Sequence, residues 1–230
     1  MRCIQRAKAV NCRFKVQAFH ARGVPVAQVY GATETGPVSI VLRPDEALAH
    51  PGLAGRPALG VQMRLVADGE ILLKAPQMMR GYHRSSDSGF DADGWFHTGD
   101  LARLHGGGWV EVVGRSKELI ISGGENIHPA EIENLVLALP GVAECAVVGL
   151  PDARWGEAPV LAVVMQPGRW LDHGLLSQML DARLARFKHP RRVVQMATLP
   201  KTALGKTRRD MLRQQLLAAP WQDVQPRNGS

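Results

Sequence analysis

The chain has 230 residues, of which 45% are hydrophobic and 21% are charged, with 28 lysines and arginines against 21 acidic residues. This composition argues against disorder outside the ends, and no apolar run approaches the roughly 18 residues of a membrane span. Six basic residues and no acidic one lie in 1–33, so the rest of the chain, with 22 basic and 21 acidic residues, is close to neutral. Three cysteines, Cys3, Cys12 and Cys145, have neither disulfide nor zinc spacing, so we expect a cytoplasmic protein with Cys145 in a core strand.

The first half of the chain is predicted to be rich in short strands. Apolar runs bounded by turn residues predict strands at 24–29, 61–66, 70–75 and 109–113. The second and third runs are joined by Ala67, Asp68 and Gly69, and the Asp-Gly pair predicts a β-hairpin between them. Polar loops are predicted at 30–36, with the sequence YGATETG, and at 81–94, which is rich in glycine, serine and aspartate.

The second half is predicted to mix helices and strands. Apolar residues recur at helical spacing in 129–139 and 172–187, and Asp172 is the predicted N-cap of the second helix. The predicted buried face of that helix contains Leu175, Leu176, Met179, Leu180 and Leu184. Further strands are predicted at 143–150, 158–165 and 193–197, and a last helix at 207–217. The predicted fold class of the chain is therefore α+β.

Two segments of the first half carry residues that suit a nucleotide. In YGATETG, the hydroxyls of Thr33 and Thr35 can bind a phosphate oxygen, and the Glu34 carboxylate is a hard ligand for Mg²⁺. In WFHTGD, Asp100 is predicted at a strand or loop end, where its carboxylate can accept hydrogen bonds from two ribose hydroxyls. Taken singly, each segment is also explained by a capped turn that binds no ligand.

Two segments of the second half add cations and flexible backbone. In GRSKELIISGGENIHPAEIE, Arg115 is a donor fork, Lys117 is a charge at the domain boundary, and Gly123–Gly124 allow close approach of a ligand. In PKTALGKTRR, Lys206 follows a glycine and can neutralise developing phosphate charge. Taken singly, the first segment is also explained by a linker before a capped helix, and the second by a solvated helix start.

The order and approximate spacing of the four motifs resemble the adenylate-forming superfamily of acyl- and aryl-CoA synthetases, luciferases and peptide-synthetase adenylation domains. The resemblance extends from about Gln17 to Leu217. It implies a reaction in which ATP and a carboxylic acid give an acyl-adenylate and pyrophosphate, after which a thiol, usually that of CoA, displaces AMP. The implied enzyme is an AMP-forming acid–thiol ligase with ATP, Mg²⁺ and coenzyme A as cofactors.

The resemblance implies roles for the matching residues at the nucleotide. Tyr30 is expected against adenine, Thr33 beside the phosphate, and Glu34 on Mg²⁺. Asp100 is expected to bind the ribose hydroxyls with help from Arg115. These residues would act by positioning and charge neutralisation rather than as covalent nucleophiles.

The resemblance also implies which residues act in the two half-reactions. Lys206 is the expected adenylation lysine, which bridges the carboxylate and the α-phosphate, and it forms the expected catalytic set with Thr33 and Glu34. Lys117 matches the hinge about which a small, mobile C-terminal domain rotates. That rotation would present Lys206 in one state and Gly123–Gly124 in the other.

Within the superfamily, the chain looks like the CoA ligases of fatty and aryl acids, including 4-chlorobenzoate. That subgroup implies a CoA site formed by Gly123–Gly124, Trp155, Phe187 and Arg191. The sequence departs from it at His189, which stands where that ligase has arginine. Because a histidine is only partly charged near neutral pH, we expect weaker affinity for the CoA nucleotide at that position.

The resemblance implies a remnant of a large N-terminal domain followed by a small C-terminal domain. The expected parts are a start outside the family at 1–16, the β-rich remnant at 17–114, the hinge at 115–117, the C-terminal domain at 118–218 and a disordered tail at 219–230. The glycine- and serine-rich phosphate loop of the family and most of its acyl pocket are missing. We therefore expect a truncated, frameshifted or excised chain that does not catalyse adenylation alone, in which 118–217 fold independently and 17–60 are poorly supported.

Two alternatives remain. The chain could be a fragment of an adenylation domain that loads a carrier protein, or a basic nucleic-acid-binding module built on Arg186–Arg192 and Lys206–Arg213. The near-neutral body and the few aromatic residues disfavour the second alternative. The expected partners are therefore a fatty or aryl carboxylic acid and CoA, with no nucleic acid and no membrane span.

Overall fold

The computed structural model describes residues 13–85, 88–203 and 205–218. The chain divides into two compact units, Met1–Lys117 and Glu118–Ser230. Residues 1–12 of the predicted start at 1–16, which include Cys3 and Cys12, lie outside the described residues, as does the predicted tail at 219–230. No helix within the described ranges has the length and the apolar run that crossing a bilayer requires.

The first unit is built mainly from two antiparallel sheets. The first sheet has the strand order β1-β2-β3 and the second the order β4-β5-β6-β7. The elements of the unit are α1 (Arg13–His20), β1 (Gln28–Ala32), β2 (Gly36–Leu42), α2 (Pro44–Ala47), β3 (Arg56–Pro57), β4 (Gln62–Leu65), β5 (Glu70–Lys74), β6 (Phe96–His105) and β7 (Trp109–Arg115). The predicted hairpin at 61–75 is present as β4 and β5, whose register pairs Leu65 with Ile71.

The first strand begins later than the sequence predicts. β1 starts at Gln28, and it includes Tyr30 and Ala32, which were predicted to lie in a loop. It pairs with β2 in antiparallel orientation, with Tyr30 opposite Ile40. Pro25 explains the shift, because a proline in the predicted run 24–29 has no N–H to donate to a ladder.

Strand β6 is missing from the sequence prediction although it is ten residues long. Its inward side chains do not alternate regularly, because the ladders on both sides of the strand shift register near Gly99 and Leu101. Gly99 has a φ of +67°, which a glycine adopts without strain. The irregular pairing at 98–100 therefore breaks the period-two alternation by which this strand would have been predicted.

A compact apolar cluster joins the two sheets of the first unit. Its buried members come from β2, β5, β6 and β7: Ile40, Ile71, Leu73, Ala102 and Val110. The side chain of Tyr30, from β1, packs against this cluster. A bridge between Gly55 and Val110 adds a backbone connection between the start of β7 and the segment before β3.

The second unit has one mixed sheet with helices on both faces. Its strands have the order β10-β11-β8-β9, and β12 pairs with β11 in parallel orientation. The elements are β8 (Ile120–Ser122), β9 (Glu125–Ile127), α3 (Pro129–Val136), β10 (Val142–Asp152), β11 (Gly156–Met165), α4 (His173–Arg183), β12 (Arg192–Gln195) and α5 (Arg209–Ala218). The strands predicted at 143–150, 158–165 and 193–197 correspond to β10, β11 and β12.

The two faces of β10 and β11 belong to different apolar clusters. Val147 and Leu161 point to the face covered by α3 and α4, where Ile132, Leu176 and Leu180 are buried. The alternate residues Val148 and Ala162 pack on the other face with Leu212 and Leu216 of α5. Because both faces are covered, the two strands are apolar without alternation, which is the pattern that predicted them. Cys145 is a buried free thiol in β10, as predicted, and burial raises the pKa of that thiol.

Helix α4 confirms its predicted start and corrects its predicted face. The Asp172 Oδ1 accepts a hydrogen bond from the N–H of Leu175 at 2.9 Å, which is the N-cap contact. Leu175 itself is 38% exposed and does not belong to the buried face. Leu176, Leu180 and Leu184 are buried at intervals of four residues, so the apolar stripe is narrower than predicted.

One carboxylate is buried inside the second unit. Glu133 of α3 is 1% exposed, and its two oxygens accept hydrogen bonds from Nη1 and Nη2 of Arg209 at 2.6 and 3.0 Å. The N–H of Val147 donates to the same carboxylate at 2.7 Å, and Nη1 of Arg209 also donates to the Val147 carbonyl. The Nε of Arg209 lies 3.0 Å from the Glu118 carboxylate. These contacts connect α3, β10 and the first residue of α5.

We predict that Glu133→Ala lowers the free energy of unfolding of the second unit by about 3 kcal/mol, since it leaves the Arg209 guanidinium without its buried partner. Glu144→Ala is the matched control, because it removes the half-exposed ion pair of Glu144 with Lys201 and should cost less than about 1 kcal/mol. Native-state hydrogen exchange of the slowest amides in β10 and β11 measures both changes. Equal effects of the two substitutions would contradict the prediction.

Candidate active site

The Asp100 carboxylate is held by two side chains from different parts of the first unit. Asp100 lies opposite Arg115 in the β6–β7 ladder, and Nε of Arg115 donates to Asp100 Oδ1 at 2.8 Å. The Tyr30 hydroxyl, which comes from β1, donates to Oδ2 at 2.8 Å. Asp100 is 8% exposed, so its charge is largely removed from water and is compensated by these two donors. Three of the residues predicted at the nucleotide are thus in direct contact.

Asp100 stands in the middle of β6, and the prediction of a strand or loop end is wrong. Two residues that the sequence analysis did not single out fix this position. The Thr98 hydroxyl donates to the Ile71 carbonyl at 2.7 Å and accepts from the Asp100 N–H at 3.1 Å. Glu70 Oε1 accepts from the Gly99 N–H at 2.8 Å. In the sequence, Thr98 is marked only by its position before Gly99, and Glu70 only by its position after the Asp-Gly turn.

The Asp100 carboxylate retains hydrogen-bonding capacity after these contacts. An ionised carboxylate has about four lone-pair directions, and Tyr30 and Arg115 use two of them. Two further donors can therefore bind without displacing either side chain. A vicinal pair of hydroxyls, as in ribose, has the donor number that this carboxylate can still accept.

The residues Thr33 to Thr35 form the tight turn between β1 and β2. Thr35 is fully buried, and its hydroxyl accepts a hydrogen bond from the Ala32 N–H at 2.9 Å, so it caps the turn. The expectation that Thr35 offers a donor to phosphate is therefore wrong, because that hydroxyl is inside the protein. Thr33 is exposed at the tip of the turn and keeps its hydroxyl accessible.

Glu34 is fixed at the same turn by contacts with the segment after β5. Its carbonyl accepts from the Met79 N–H at 2.8 Å, and the Tyr82 hydroxyl lies 3.4 Å from its Oε1. Within the described ranges, no group of three or more histidine, cysteine or acidic side chains gathers into a metal cluster. The Glu34 carboxylate has the hard oxygen atoms that Mg²⁺ prefers, and one carboxylate can bind this ion when phosphates and waters complete the octahedron.

Lys206 lies in a closed loop between β12 and α5, where it pairs with Thr202. The Lys206 N–H donates to the Thr202 hydroxyl at 3.1 Å, and the Thr202 N–H donates to the Lys206 carbonyl at 2.8 Å. A bridge between Lys201 and Thr207 closes the loop. The backbone of Lys206 is thus fixed while its side chain is exposed, as a lysine that neutralises an incoming anion requires.

Gly123, the first of the glycine pair in the second unit, packs on Trp155. Gly123 and Gly124 form the two-residue turn between β8 and β9, with φ of +59° and +85°, which suits a type I′ hairpin. The Gly123 N–H donates to the Trp155 carbonyl at 2.8 Å, and a Cβ at Gly123 would lie 2.7 Å from Cε3 of that ring. Glycine is therefore required there by the close approach of the indole as well as by the turn.

Two guanidinium groups flank the same indole. The Cζ atoms of Arg154 and Arg191 lie 4.7 and 5.2 Å from the Trp155 ring centroid. Asp152 Oδ1 accepts from the N–H groups of Arg154 and Trp155 at 2.9 Å, and these backbone hydrogen bonds lower the pKa of Asp152. The structure thus brings together Gly123, Trp155 and Arg191, which were predicted, and Arg154, which was not. These four residues are called the Trp155 group.

Phe187 and His189 have other neighbours within the second unit. Phe187 is partly exposed in a one-turn 3-10 helix, where its ring lies 5.8 Å from Nζ of Lys188 rather than on Trp155. The ring of His189 is mostly buried, and its Nε2 lies 3.2 Å from the Leu184 carbonyl. Lys117 is the exposed last residue of the first unit.

A shallow groove of about 620 Å³ lies at the end of β11 in the second unit. Gln166, Arg169, Trp170 and His173 are among its lining residues. None of the sequence-predicted site residues lines this groove, so it is separate from the Trp155 group.

We predict that Tyr30 remains neutral far into the alkaline range. Burial, and next the adjacent Asp100 carboxylate, raise the pKa of Tyr30 well above its ordinary value of about 10. Because the folded-state pKa is raised, the stability from neutral Tyr30 is complete below pH about 10 and is lost as pH rises further. Ultraviolet titration of Tyr82→Phe isolates this phenol, since the chain has only two tyrosines. A phenolate that titrates near pH 10 in the folded protein would contradict the prediction.

Comparison with known proteins identifies the family. A sequence model described as "AMP-binding enzyme" matches residues 9–83, and one described as "AMP-binding enzyme C-terminal domain" matches 131–206. An indoleacetate–CoA ligase from Aromatoleum aromaticum is 46% identical over 211 residues, which are 86% of this chain and 41% of that protein.

Solved structures agree in fold and sequence. The o-succinylbenzoate CoA synthetase of Bacillus subtilis, in complex with its acyl-adenylate intermediate, superposes with a TM-score of 0.83 at 33% identity, covering 93% of this chain and 46% of that one. The same enzyme with ATP and magnesium gives a TM-score of 0.82 at 33% identity, covering 92% and 46%. The chain spans less than half the length of these relatives. It belongs to the AMP-binding, adenylate-forming enzyme family, in the branch of the acyl- and aryl-CoA ligases.

Proposed function

We propose that this chain is the C-terminal portion of an ATP-dependent, AMP-forming ligase that joins a carboxylic acid to CoA. The observation that carries the proposal is the Asp100 carboxylate, which is paired with Tyr30 and Arg115 yet can still accept two hydroxyl donors. A ribose supplies two such hydroxyls on adjacent carbons. ATP, Mg²⁺ and CoA are the ligands that the proposal assigns to the site, and the magnesium complex of the Bacillus subtilis relative supports that assignment.

In the first half-reaction, a carboxylate oxygen of the acid attacks the α-phosphorus of ATP, and the bond to pyrophosphate breaks. Asp100 orients the nucleotide through its ribose, and Tyr30, whose hydroxyl binds the same carboxylate, is the proposed contact for adenine. Thr33 donates to a phosphate oxygen from the tip of the β1–β2 turn. Lys206 neutralises charge on the carboxylate and the α-phosphate, which is the electrostatic part of the catalysis.

Magnesium supplies charge neutralisation for the phosphates when it is bound. Glu34 is the carboxylate of this chain that would hold it, since its side chain is placed at the same turn as Thr33. A single carboxylate together with phosphate oxygens is the usual protein site for this ion. The contacts of Glu34 with Met79 and Tyr82 fix that turn.

In the second half-reaction, the CoA thiol attacks the acyl carbon and AMP leaves with both electrons of the broken bond. The group formed by Gly123, Trp155 and Arg191 suits the CoA end of this reaction. The glycine turn brings backbone close to an incoming chain, and Arg191 with Arg154 supplies positive charge for the CoA phosphates. Phe187 is a further expected contact. Lys117 is the proposed hinge between the half-reactions.

The ion pairs of the second unit support a ligase over a nucleic-acid-binding module. The basic residues of the two clusters that suggested such a module are largely matched by carboxylates. The pairs are Lys188 with Glu131, Arg208 with Asp210, Arg209 with Glu118 and Glu133, and Arg213 with Glu157. Phosphate backbone binding depends on unpaired cations, and these contacts reduce their number.

We predict that Asp100→Asn weakens AMP binding by the 230-residue chain about 100-fold, because two charge-assisted hydrogen bonds to ribose are weakened. Titration calorimetry with AMP and with 2′,3′-dideoxy-AMP measures the effect. The parent should discriminate strongly between the two nucleotides, whereas Asp100→Asn should bind both with similar, weak affinity.

Glu111→Gln is the matched control. It removes a carboxylate from the same β6–β7 ladder, where Glu111 contacts His105, and it should leave AMP binding within about twofold of the parent. Equal binding of AMP and its dideoxy analogue by the parent chain would refute the ribose site. We expect acid-dependent pyrophosphate exchange only from a protein of the full family length.

A further inference from the structure

Ion pairs hold both ends of the loop that carries Lys206. Before the loop, Nζ of Lys201 lies 2.5 Å from Oε1 of Glu144, which belongs to β10. After the loop, Arg209 opens α5 and pairs with Glu133 and Glu118. The base of this closed loop is therefore fixed by one ion pair of Lys201 before it and by the ion pairs of Arg209 after it.

Arg209 divides its donors between two carboxylates of different character. Its Nη1 and Nη2 contact the fully buried Glu133, which attaches the loop base to α3 inside the fold. Its Nε faces Glu118, whose side chain is 35% exposed. Burial lowers the pKa of Arg209, but the carboxylates of Glu133 and then Glu118 outweigh burial and raise that pKa overall, so the group stays charged.

Glu118 has a particular place in the chain. It is the first residue of the second unit and directly follows Lys117, the last residue of the first. Its contact with Arg209 therefore joins the point where the chain enters the second unit to a residue three positions after Lys206. The two segments are about ninety residues apart in sequence, and this side-chain contact connects them directly.

We propose that Glu118 is a positioning residue. Through Arg209 it fixes the chain just after Lys117 to the base of the Lys206 loop, so that a rotation at Lys117 carries Lys206 with it without slack. The inference rests on the proposed function, in which Lys117 is the hinge and Lys206 the adenylation lysine. Such a connection matters because a displacement of about 1 Å at a catalytic group can cost about 100-fold in rate.

The partial exposure of Glu118 makes this role separable from folding. An ion pair that is one-third exposed contributes little to global stability, whereas the Glu133 pair is buried and structural. Removing the Glu118 carboxylate should therefore loosen the two joined segments and leave the sheet intact. Glu144 offers a matched control, because its side chain is also 35% exposed and its lysine partner flanks the same loop at the other end.

Hydrogen exchange of the whole chain tests the proposal in Glu118→Ala, Glu118→Gln and Glu144→Ala. Glu118→Ala should raise exchange about fivefold in both 116–122 and 205–210 while the amides of β10 and β11 stay protected. Glu118→Gln should restore protection to within about twofold, because its amide oxygen still accepts from Arg209 Nε. Glu144→Ala should raise exchange near Lys201 and leave 116–122 unchanged.

Unchanged exchange over 205–210 in Glu118→Ala would overturn the proposal, as would failure of Glu118→Gln to restore protection. Acceleration of 116–122 by Glu144→Ala would also overturn it, because the effect would then be general loosening. The measurement is made without nucleotide, so its result does not depend on AMP binding. A chain that fails to bind AMP refutes the proposed function and leaves the contact between Glu118 and Arg209 to be judged by exchange alone.

Discussion

A carboxylate that is taken out of water must be compensated by donors, and each unit of this chain is organised around one such group. The described part of the chain buries two carboxylates, Asp100 in the first unit and Glu133 in the second. Asp100 of β6 accepts hydrogen bonds from Tyr30 of β1 and Arg115 of β7. Glu133 draws Arg209 from the start of α5 onto α3 and β10. In both units the buried charge is compensated by donors from other segments of the sequence.

The two carboxylates differ in what they can still bind. Glu133 is enclosed, and its oxygens accept from both terminal nitrogens of Arg209 and from the Val147 N–H, so its role is structural. The Asp100 side chain is 12% exposed and accepts hydrogen bonds from two protein side chains, so it can still accept two from the hydroxyls of a ligand. The same requirement for compensation thus produces a fold contact in one unit and a candidate nucleotide contact in the other. Glu118 connects the network of Glu133 and Arg209 to the first residues of the second unit.

The sequence patterns correctly predicted the elements that are defined by interactions within one short segment. The apolar runs of β10 and β11, the Asp-Gly hairpin and the Asp172 cap are examples, because burial on both faces or a single side-chain contact defines them. Strand β6 was missed since its register shifts near Gly99 break the alternation. The site residues could be chosen by motif order, but the hydrogen bond of Tyr30 to Asp100 and that of the Gly99 N–H to Glu70 could not be predicted, because Tyr30 is seventy residues from Asp100 and Glu70 belongs to no motif. Such contacts depend on how the sheets pack.

In the proposed function, Asp100 and its two partners form the adenosine end of the site. Heteronuclear magnetic resonance of the isotope-labelled chain during an AMP titration tests this assignment. The largest chemical shift changes are expected at Tyr30, at Gly99 and Asp100, and at the Arg115 side chain, whereas the amide resonances of the Trp155 group should not shift. Shift changes confined to the second unit, or no saturable change near Asp100, would disprove the assignment.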